Sequence, residues 1–271
     1  MINAKTQLCC IIGNPVEHSL SPQMHNAAFA QTKSDFCFMA FKIINLARAI
    51  ESLKMFNCRC IVVTIPYKQE VIKYIDKVDE TAKKIGAVNC IINNNGYLTG
   101  TNTDCYGALQ SLEEQTKLKN KKVAILGAGG AARAIIYGLK LKKANVFLFN
   151  RTLSNAKKLA EEFNLTRPYS LNEQINLKNM DIIINATSVG MEPNQDQSPV
   201  AEENIHQDQL VFDIVYTPHK TQLLKIAKAR GAKIVYGYKM VLYGGIKIFE
   251  LTTNKQAPIS IMDKTLLKNL N

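Results

Sequence analysis

The sequence has no long apolar segment. Among its 271 residues, no run approaches the roughly 18 uninterrupted apolar residues of a membrane-spanning helix. The stretch MINAKTQLCCIIGNP contains a short apolar run, but it lacks the basic lead and the small-residue cleavage site of a secretion signal. These absences predict a cytoplasmic protein without a membrane partner. Since 46% of the residues are hydrophobic, the chain can form one large domain or two domains of average size, each with a hydrophobic core.

The sequence also lacks a metal-binding or disulfide framework. Its seven cysteines are an odd number, and no two of them have the CxxC spacing typical of zinc sites. Cys58 and Cys60 form a CxC without a second ligand pair, and most cysteines lie in apolar segments. This pattern predicts reduced thiols in the core and no resident metal.

The sequence also contains no recognisable nucleic-acid-binding module. The net charge of +12 comes from lysines scattered along the chain and not from one basic helix with interleaved aromatic residues. We therefore expect no nucleic-acid partner. A basic field of this size could attract an anionic cofactor and an anionic substrate, or it could be simply a solvated surface.

What the sequence does contain is a regular alternation of strand-like and helix-like segments, without repeats. This pattern predicts an α/β protein with a largely parallel sheet. A second series of strands begins at KKVAIL, and the helical segment that starts at MVLYGG is expected to pack back on the first series. The predicted domains are therefore residues 1–105 together with about 240–271, and residues 106–239.

Two local predictions concern the starts of helices. SPQMHNAAFAQ is predicted to form a helix capped by Ser21, with Pro22 in the first helical position. QEVIKYI is predicted to start a helix directly after TIPYK, which would place Lys68 in the first turn, where the helix dipole slightly disfavours a lysine. Taken alone, Lys68 would be an ordinary surface lysine.

The segment KVAILGAGGAARAII has the order strand, glycine-rich turn, helix. Gly127, Gly129 and Ala132 match the G-x-G-x-x-G/A fingerprint of dinucleotide-binding domains. The first glycine makes the tight turn, the second lets the backbone approach a pyrophosphate, and the small third residue lets the helix meet the sheet. The helix N-terminus attracts the anion. We therefore predict that the second domain is a Rossmann-type dinucleotide-binding domain.

The end of the next strand indicates which dinucleotide is bound. NAD-binding domains carry a carboxylate there, about 20 residues beyond the fingerprint. Here the strand NVFLFN ends in Asn150, and Arg151 and Thr152 follow without a carboxylate. Asn150 can bind the ribose, and Arg151 can pair with a 2′-phosphate and stack on adenine. A solvated loop arginine is the alternative, but the sequence favours NADP.

Polar residues follow the strands of the first domain. No Ser-Tyr-x-x-x-Lys arrangement and no zinc-ligand set is present. In an open α/β sheet, the turns after the strands face the ligand at the carboxyl ends. Those turns carry Ser19 and Ser21 in GNPVEHSLSP, Thr64 and Lys68 in TIPYK, Asn89 in AVN, and Asn102, Thr103 and Asp104 in GTNTD.

These segments resemble the shikimate dehydrogenase (shikimate/quinate dehydrogenase) family, and the resemblance covers nearly the whole chain. The matching segments, in order, are GNPVEHSLSP, VTIPYK, GAVN, GTNTD, GAGGAARA, NRT, NATSVGM, DIVYTPHKTQLL and GYKM. The resemblance implies an N-terminal substrate-binding and catalytic domain, an NADP-binding domain and a cleft between them. It implies reversible reduction of 3-dehydroshikimate to shikimate by hydride transfer, in chorismate and aromatic amino acid biosynthesis. It also implies that a homodimer is possible.

The resemblance also implies roles for individual residues. Lys68 and Asp104 would be the catalytic pair, with Lys68 either a proton shuttle or a charged donor to the developing alkoxide; the sequence does not choose between them. The substrate would be held by Ser19, Ser21, Thr64, Asn89 and Tyr216. The cofactor would be held by Gly127, Ala128, Gly129, Gly130, Ala131, Asn150, Arg151, Thr152, Thr187 and Gly237.

The chain departs from the family pattern at GYKMVLYGG, where the usual run has the form G-L-G-M-L-V-x-Q-A. Gly244 replaces a glutamine that normally bonds the substrate, and Lys239 replaces a glycine near the nicotinamide. Losing such a hydrogen bond costs about 1–3 kcal/mol if the partner stays unpaired. Two alternatives therefore stay open: a dehydrogenase of quinate or another cyclic polyhydroxy acid, and an NADP-binding homologue with little turnover. Asn155 replaces a second basic residue, for which Lys157 or Lys158 could compensate.

Overall fold

The computed structural model describes residues 2–270. Its strands are β1 (Gln7–Gly13), β2 (Phe36–Lys42), β3 (Cys60–Val63), β4 (Lys77–Val78), β5 (Cys90–Asn94), β6 (Tyr97–Thr101), β7 (Lys122–Leu126), β8 (Asn145–Asn150), β9 (Tyr169–Ser170), β10 (Ile182–Asn185), β11 (Leu210–Asp213) and β12 (Lys233–Val235). Its α-helices are α1 (Ser21–Gln31), α2 (Leu46–Met55), α3 (Glu80–Ile85), α4 (Asp104–Glu113), α5 (Gly130–Leu141), α6 (Leu153–Glu162), α7 (Gln222–Ala229), α8 (Tyr238–Thr253) and α9 (Ile259–Lys268). Short 3₁₀ helices cover Glu70–Tyr74, Gln174–Asn179 and Glu202–Asn204. No helix within residues 2–270 is long and apolar enough to cross a membrane.

The chain forms two compact α/β units, which confirms the predicted fold class. The first unit extends to Tyr106 and includes Val241–Asn269, and the second comprises Gly107–Met240. Each unit contains one six-stranded sheet. The seven cysteines are all free thiols, and six of them are buried.

The sheet of the second unit is parallel throughout, with the order β12-β11-β10-β7-β8-β9. Both of its faces are covered. Ile182 and Ile184 of β10 pack into the cluster that includes α5 and α6, and Ile183 packs into the cluster that includes α7. Because each isoleucine is buried, β10 is a continuous apolar run and not an alternating one, as is typical of a parallel strand between two helical layers.

The sheet of the first unit is mixed, with the order β2-β1-β3-β5-β6-β4. β1 pairs in parallel with β2 and β3, whereas β5 runs antiparallel to β3 and β6. β5 and β6 form a hairpin, whose turn residues Asn95 and Gly96 have φ values of 52° and 90°. Asn-Gly is the preferred sequence of such a turn, so a signal for β6 was present that the sequence analysis did not use.

The structure confirms that SPQMHNAAFAQ forms a helix with Pro22 in its first turn, but the predicted cap at Ser21 and the predicted α-helix directly after TIPYK are wrong. α1 begins at Ser21 itself, so the capping position falls on Leu20, which has no side-chain cap. The Ser19 hydroxyl instead accepts a hydrogen bond of 3.3 Å from the Ser21 N–H. The segment after TIPYK forms only the 3₁₀ helix Glu70–Tyr74, because the chain soon returns to extended structure in β4. Lys68 therefore lies in a turn and not in the first turn of an α-helix.

Helix α8 approaches α1 closely at Gly245. A Cβ atom there would lie 2.1 Å from Met24 Cε and 3.6 Å from His25 Nε2. The His25 ring stacks on Phe38 with 4.6 Å between centroids, and neither of its nitrogens has a hydrogen-bond partner among the residues described. Burial lowers the pKa of His25 to about 3. A neutral imidazole is therefore part of the apolar core between α1, β2 and α8.

Acidification is expected to weaken the first unit through His25. Its pKa is lowered from 6.5 to about 3, so the stability that depends on the neutral ring is complete above pH 6.5 and is lost as the pH falls towards 3. Between pH 7.5 and 5 the loss should be about 2 kcal/mol, measured as the opening free energy of β1 amides by hydrogen exchange. His25→Leu should remove this part of the pH dependence. Phe38→Leu should lower the opening free energy by the same amount at both pH values. Equal pH dependence in wild type and His25→Leu would contradict the assignment.

Candidate active site

A close ion pair lies at the carboxyl ends of the first unit's strands β3 and β6. Lys68 Nζ is 2.6 Å from Asp104 Oδ2. Lys68 lies in the turn after β3, and Asp104 is the first residue of α4, which follows β6. Their side chains are 16% and 14% exposed, so both are largely shielded but reachable. The ammonium can donate to an incoming oxygen atom while the carboxylate holds it in position.

Asn89 holds the other oxygen of Asp104. Asn89 Nδ2 donates to Asp104 Oδ1 over 2.8 Å and to Thr103 Oγ1 over 3.1 Å. Asn89 Oδ1 accepts from the Thr103 N–H over 2.7 Å, which determines the orientation of the amide. Asn89 is buried. Because one carboxylate oxygen bonds to Lys68 and the other to Asn89, the side chain of Asp104 has one preferred orientation.

Asn102 positions the start of α4. Its Oδ1 accepts from the backbone N–H groups of Asp104 (3.0 Å) and Cys105 (3.3 Å), and its Nδ2 donates to the carbonyl oxygen of Ala87 over 2.9 Å. These contacts cap the helix and connect it to the loop that presents Asn89. The positive end of the helix dipole also favours a carboxylate at Asp104. Sequence reasoning named Asn102 only as part of GTNTD and missed this capping role, although asparagine is a preferred cap.

Thr64 lies at the end of β3, beside the end of β1. Its N–H donates to the carbonyl oxygen of Ile12 over 3.0 Å. The approach is so close that a Cβ atom on Gly13 would lie 2.3 Å from Thr64 Cγ2. Thr64 therefore has a defined backbone position at the same edge of the sheet as Lys68, while its contact with a substrate stays a prediction.

The other predicted substrate residues are less closely tied to the ion pair. Ser19 is buried and Ser21 is partly exposed, both at the start of α1 after β1. Among the residues described, no hydrogen bond joins either serine to Lys68 or Asp104. Tyr216 is partly exposed and lies after β11 in the second unit. The roles of these three residues stay predictions.

The turn between β7 and α5 has the geometry that a dinucleotide requires. Gly127 has a φ of +111°, and a Cβ atom on it would lie 2.9 Å from the carbonyl oxygen of Ala186, so the position requires glycine. A Cβ atom on Gly129 would have nothing within 4 Å, which leaves open space in front of the helix. Ala132 is buried where α5 packs on the sheet. The turn and the first helical residues, Ala128, Gly130 and Ala131, present backbone N–H groups next to this space, so the turn fits a pyrophosphate.

The residues after β8 fit a 2′-phosphate. Asn150 donates from Nδ2 to the carbonyl oxygen of Thr152 over 2.8 Å, which shapes the turn into α6. Arg151 is exposed and has no hydrogen-bond or ion-pair partner in the described part of the chain. Its guanidinium is therefore available to a phosphate. Lys157 and Lys158 are exposed on α6 and add positive charge nearby.

A buried chain of hydrogen bonds holds the loop after β10. Asn185 Oδ1 accepts from Thr187 N–H (3.0 Å) and Thr187 Oγ1 (2.7 Å), and Asn185 Nδ2 donates to Asp213 Oδ1 over 2.9 Å. Asp213 also accepts from Thr221 Oγ1 and from the Val215 N–H. Burial raises the pKa of Asp213 to about 6. The network positions Thr187, and sequence reasoning missed Asp213, for which an aspartate ending an apolar strand was the available signal.

Gly237 and Lys239 lie at the start of α8, and each has a defined contact. A Cβ atom on Gly237 would lie 2.5–2.7 Å from three carbonyl oxygens of residues 213–215, so the backbone packs directly against the end of β11. Lys239 Nζ lies 3.6 Å from Glu114 Oε1. The ammonium of Lys239 thus has a carboxylate partner within its own unit, which the sequence analysis did not foresee.

Gly244 leaves space next to the ion-pair cluster. A Cβ atom on it would lie 3.6 Å from Thr103 Oγ1, an ordinary van der Waals distance. Thr103 is bonded to Asn89, which is bonded to Asp104. The absence of a side chain at 244 therefore affects the immediate surroundings of the cluster, and the space around this residue would accept a larger one.

Comparison with known proteins finds matches over both units. Residues 11–91 match the family model described as shikimate dehydrogenase substrate binding domain, and residues 108–221 match the one described as shikimate / quinate 5-dehydrogenase. The shikimate dehydrogenase (NADP(+)) of Methanobrevibacter smithii is 41% identical over 285 residues, covering 100% of both chains. A crystal structure of shikimate dehydrogenase in complex with NADP+ is 40% identical with a TM-score of 0.94, covering 100% of this chain and 98% of that one. The Thermus thermophilus enzyme in complex with NADP(H) and shikimate is 32% identical with a TM-score of 0.90, covering 97% and 100%.

Proposed function

The chain belongs to the shikimate dehydrogenase family, and we propose that it catalyses the reversible reduction of 3-dehydroshikimate to shikimate. It is an NADP-dependent oxidoreductase that acts on a CH–OH group, and the reaction serves chorismate and aromatic amino acid biosynthesis. The observation that carries the proposal is the Lys68–Asp104 pair, with 2.6 Å between its charged atoms. A protein that only bound the nucleotide would have no use for this pair.

In the proposed reaction, bound NADPH supplies the hydride and the chain supplies the proton. Lys68 Nζ would donate a hydrogen bond to the ketone oxygen of the substrate and would pass its proton to that oxygen. The product oxygen is then a hydroxyl, and Lys68 regains a proton from water. Asp104 holds the ammonium in place and stabilises its charge before the transfer. In the oxidative direction each step is reversed.

The remaining site residues bind and orient. As the resemblance implies, the hydroxyls of Ser19 and Ser21 would bind the substrate carboxylate. The ring hydroxyls of the substrate would be bound by Thr64, Asn89 and Asp104. Tyr216 completes the proposed substrate contacts. For the cofactor, the glycine-rich turn holds the pyrophosphate, Asn150 and Thr152 hold the adenosine ribose, Arg151 holds the 2′-phosphate, and Thr187 and Gly237 line the nicotinamide side.

Steady-state oxidation of shikimate and of quinate, each with NADP and with NAD, tests the proposal. We expect rapid turnover of shikimate with NADP. Turnover of quinate in place of shikimate would identify a paralogous dehydrogenase. Binding of NADP without turnover of either acid would identify a homologue with little activity. Either of the last two results would refute the proposed reaction.

A quinate dehydrogenase is the second candidate, and Gly244 is the observation that favours it. The space next to Thr103 changes the hydroxyl end of the pocket that the resemblance implies. A substrate with an additional hydroxyl could place that group there, or a water molecule could fill the space.

Gly244→Gln is expected to lower the KM for shikimate by about tenfold, because one added hydrogen bond contributes about 1 kcal/mol or slightly more. The value of kcat should change little, since neither Lys68 nor Asp104 is altered. Gly244→Ala is the matched control, because it adds the Cβ atom without the amide and should leave KM unchanged. Equal KM values for the two variants would show that position 244 does not contact the substrate.

We further propose a cytoplasmic location, a homodimer in solution and no nucleic-acid partner. The absence of a recognisable nucleic-acid module and the scattered lysines support the last point. Sedimentation equilibrium measures the dimer directly. A mass of one chain at micromolar concentration would refute it.

A further inference from the structure

The first unit contains a polar cavity of about 320 Å³ that the proposed reaction does not use. It is formed at the amino ends of β1, β2 and β3, by the β5–β6 turn and by the end of α8. Lys68 and Thr64 follow the carboxyl end of β3, so the cavity lies at the opposite edge of the same sheet. It is therefore separate from the residues assigned to the substrate.

Arg59 provides the charge of this cavity and is held in one orientation. Its Nε donates to the carbonyl oxygen of Thr252 over 3.4 Å, and its Nη1 donates to the carbonyl oxygen of Asn93 over 2.9 Å and to Asn94 Oδ1. The other terminal nitrogen, Nη2, has no hydrogen-bond partner among the residues described. A guanidinium that is anchored on one side in this way offers two N–H groups to an oxyanion.

The rest of the lining is neutral and rich in amides. Arg59 is the only charged residue among the described residues that line the cavity, and none of them is a carboxylate. Asn93 also lines the cavity and is 2% exposed. Its Oδ1 accepts from the Gly96 N–H over 2.7 Å, which determines the amide orientation, and its Nδ2 has no partner in the described part of the chain. Unpartnered buried donors are rare in native proteins, and this one belongs to a residue that lines the cavity.

We propose that this cavity is a binding site for a small metabolite that carries a carboxylate or a phosphate group. The volume is at the lower end of small-molecule sites, about 300–1,000 Å³, and therefore suits a small metabolite. One oriented guanidinium and the absence of acidic residues from the described lining select an anion. The neutral amides complement the hydroxyl or carbonyl groups of such a metabolite.

Isothermal titration with inorganic phosphate and with malonate tests the proposal and distinguishes the two oxyanions. The protein is first saturated with NADPH and shikimate. Because both compounds are in the reduced state, no turnover occurs, and the proposed cofactor site and substrate site are both filled. We expect saturable binding of at least one probe. Asn95→Asp adds a negative charge to the rim of the cavity at a residue with φ of 52°. This variant should raise the Kd of the bound probe at least tenfold. Arg59→Met should abolish binding.

Asn120→Asp is the matched control, because it makes the same charge change at a residue with φ of 64° in the second unit. It should leave Kd unchanged. Absence of saturable binding of both probes up to 20 mM would overturn the proposal, as would equal Kd values for Asn95→Asp and Asn120→Asp. Failure of the proposed reaction would be visible separately as absent turnover, and the comparison of the two Asp variants would still locate the anion.

Discussion

Replacing Lys68 with methionine is expected to lower kcat for shikimate oxidation by about 10²–10⁴-fold, the range for loss of a positioned proton-transfer group. Methionine keeps most of the length and packing of the side chain but has no proton to exchange and no charge. The dissociation constant for NADP should not change, because the glycine-rich turn and Arg151 lie in the second unit. Steady-state kinetics and a separate binding titration with NADP measure the two quantities.

Lys73→Met is the matched control for this variant. Lys73 is exposed in the 3₁₀ helix Glu70–Tyr74, so the substitution removes the same charge close in sequence and should leave kcat unchanged. Asp104→Asn should also lower kcat. Because Asp104 acts on the Lys68 ammonium, the double variant should lose little more activity than Lys68→Met alone. Wild-type kcat in Lys68→Met would refute the proposed mechanism.

Replacing Arg151 with glutamine is expected to lower kcat/KM for NADP by about 10–150-fold, since hydrogen bonds to charged groups contribute about 1.5–3 kcal/mol. The exposed guanidinium has no partner among the described residues that would compete with the phosphate. The kcat/KM for NAD should not change, because NAD has no 2′-phosphate. The measurement is the ratio of the two kcat/KM values in wild type and variant.

Arg48→Gln provides the control for a general loss of positive charge. Arg48 is exposed on α2 in the first unit, and its replacement should leave the NADP/NAD ratio unchanged. If Arg151→Gln lowers kcat/KM equally for both dinucleotides, Arg151 contacts a part that NADP and NAD share. If it lowers neither, the 2′-phosphate is bound elsewhere, for example by Lys157 or Lys158.

Local patterns were sufficient for most strands and for the nucleotide-binding turn. Gly127 illustrates why: its φ of +111° belongs to a turn of a few residues, and the glycine spacing records that requirement directly. The prediction of two α/β domains, made from apolar runs between helical patterns, is confirmed. The family, predicted from the matching motifs, is confirmed as well. The roles carried over from the resemblance to individual site residues stay predictions.

The errors occurred where the local signal was ambiguous. Ser21 and Ser19 both precede the apolar pattern of α1, and only the observed start of the helix shows that the Ser19 hydroxyl contacts the first N–H. QEVIKYI has a helical pattern, but pairing of β4 with β6 requires the chain to become extended soon afterwards. In the second case the pairing of strands in the folded sheet overrode the preference of a short segment.

The sequence by itself determined the alternation of strands and helices, the glycine turn and the polar residues that follow the strands. Only the tertiary structure decided that Lys68 and Asp104, 36 residues apart, meet at 2.6 Å, with Asn89 bonded to the second carboxylate oxygen. The same holds for the neutral His25 in the core and for the cavity next to Arg59. The physical reason is that these contacts depend on which strands pair, here β3 with β5 and β5 with β6, and local patterns do not specify pairing between distant segments.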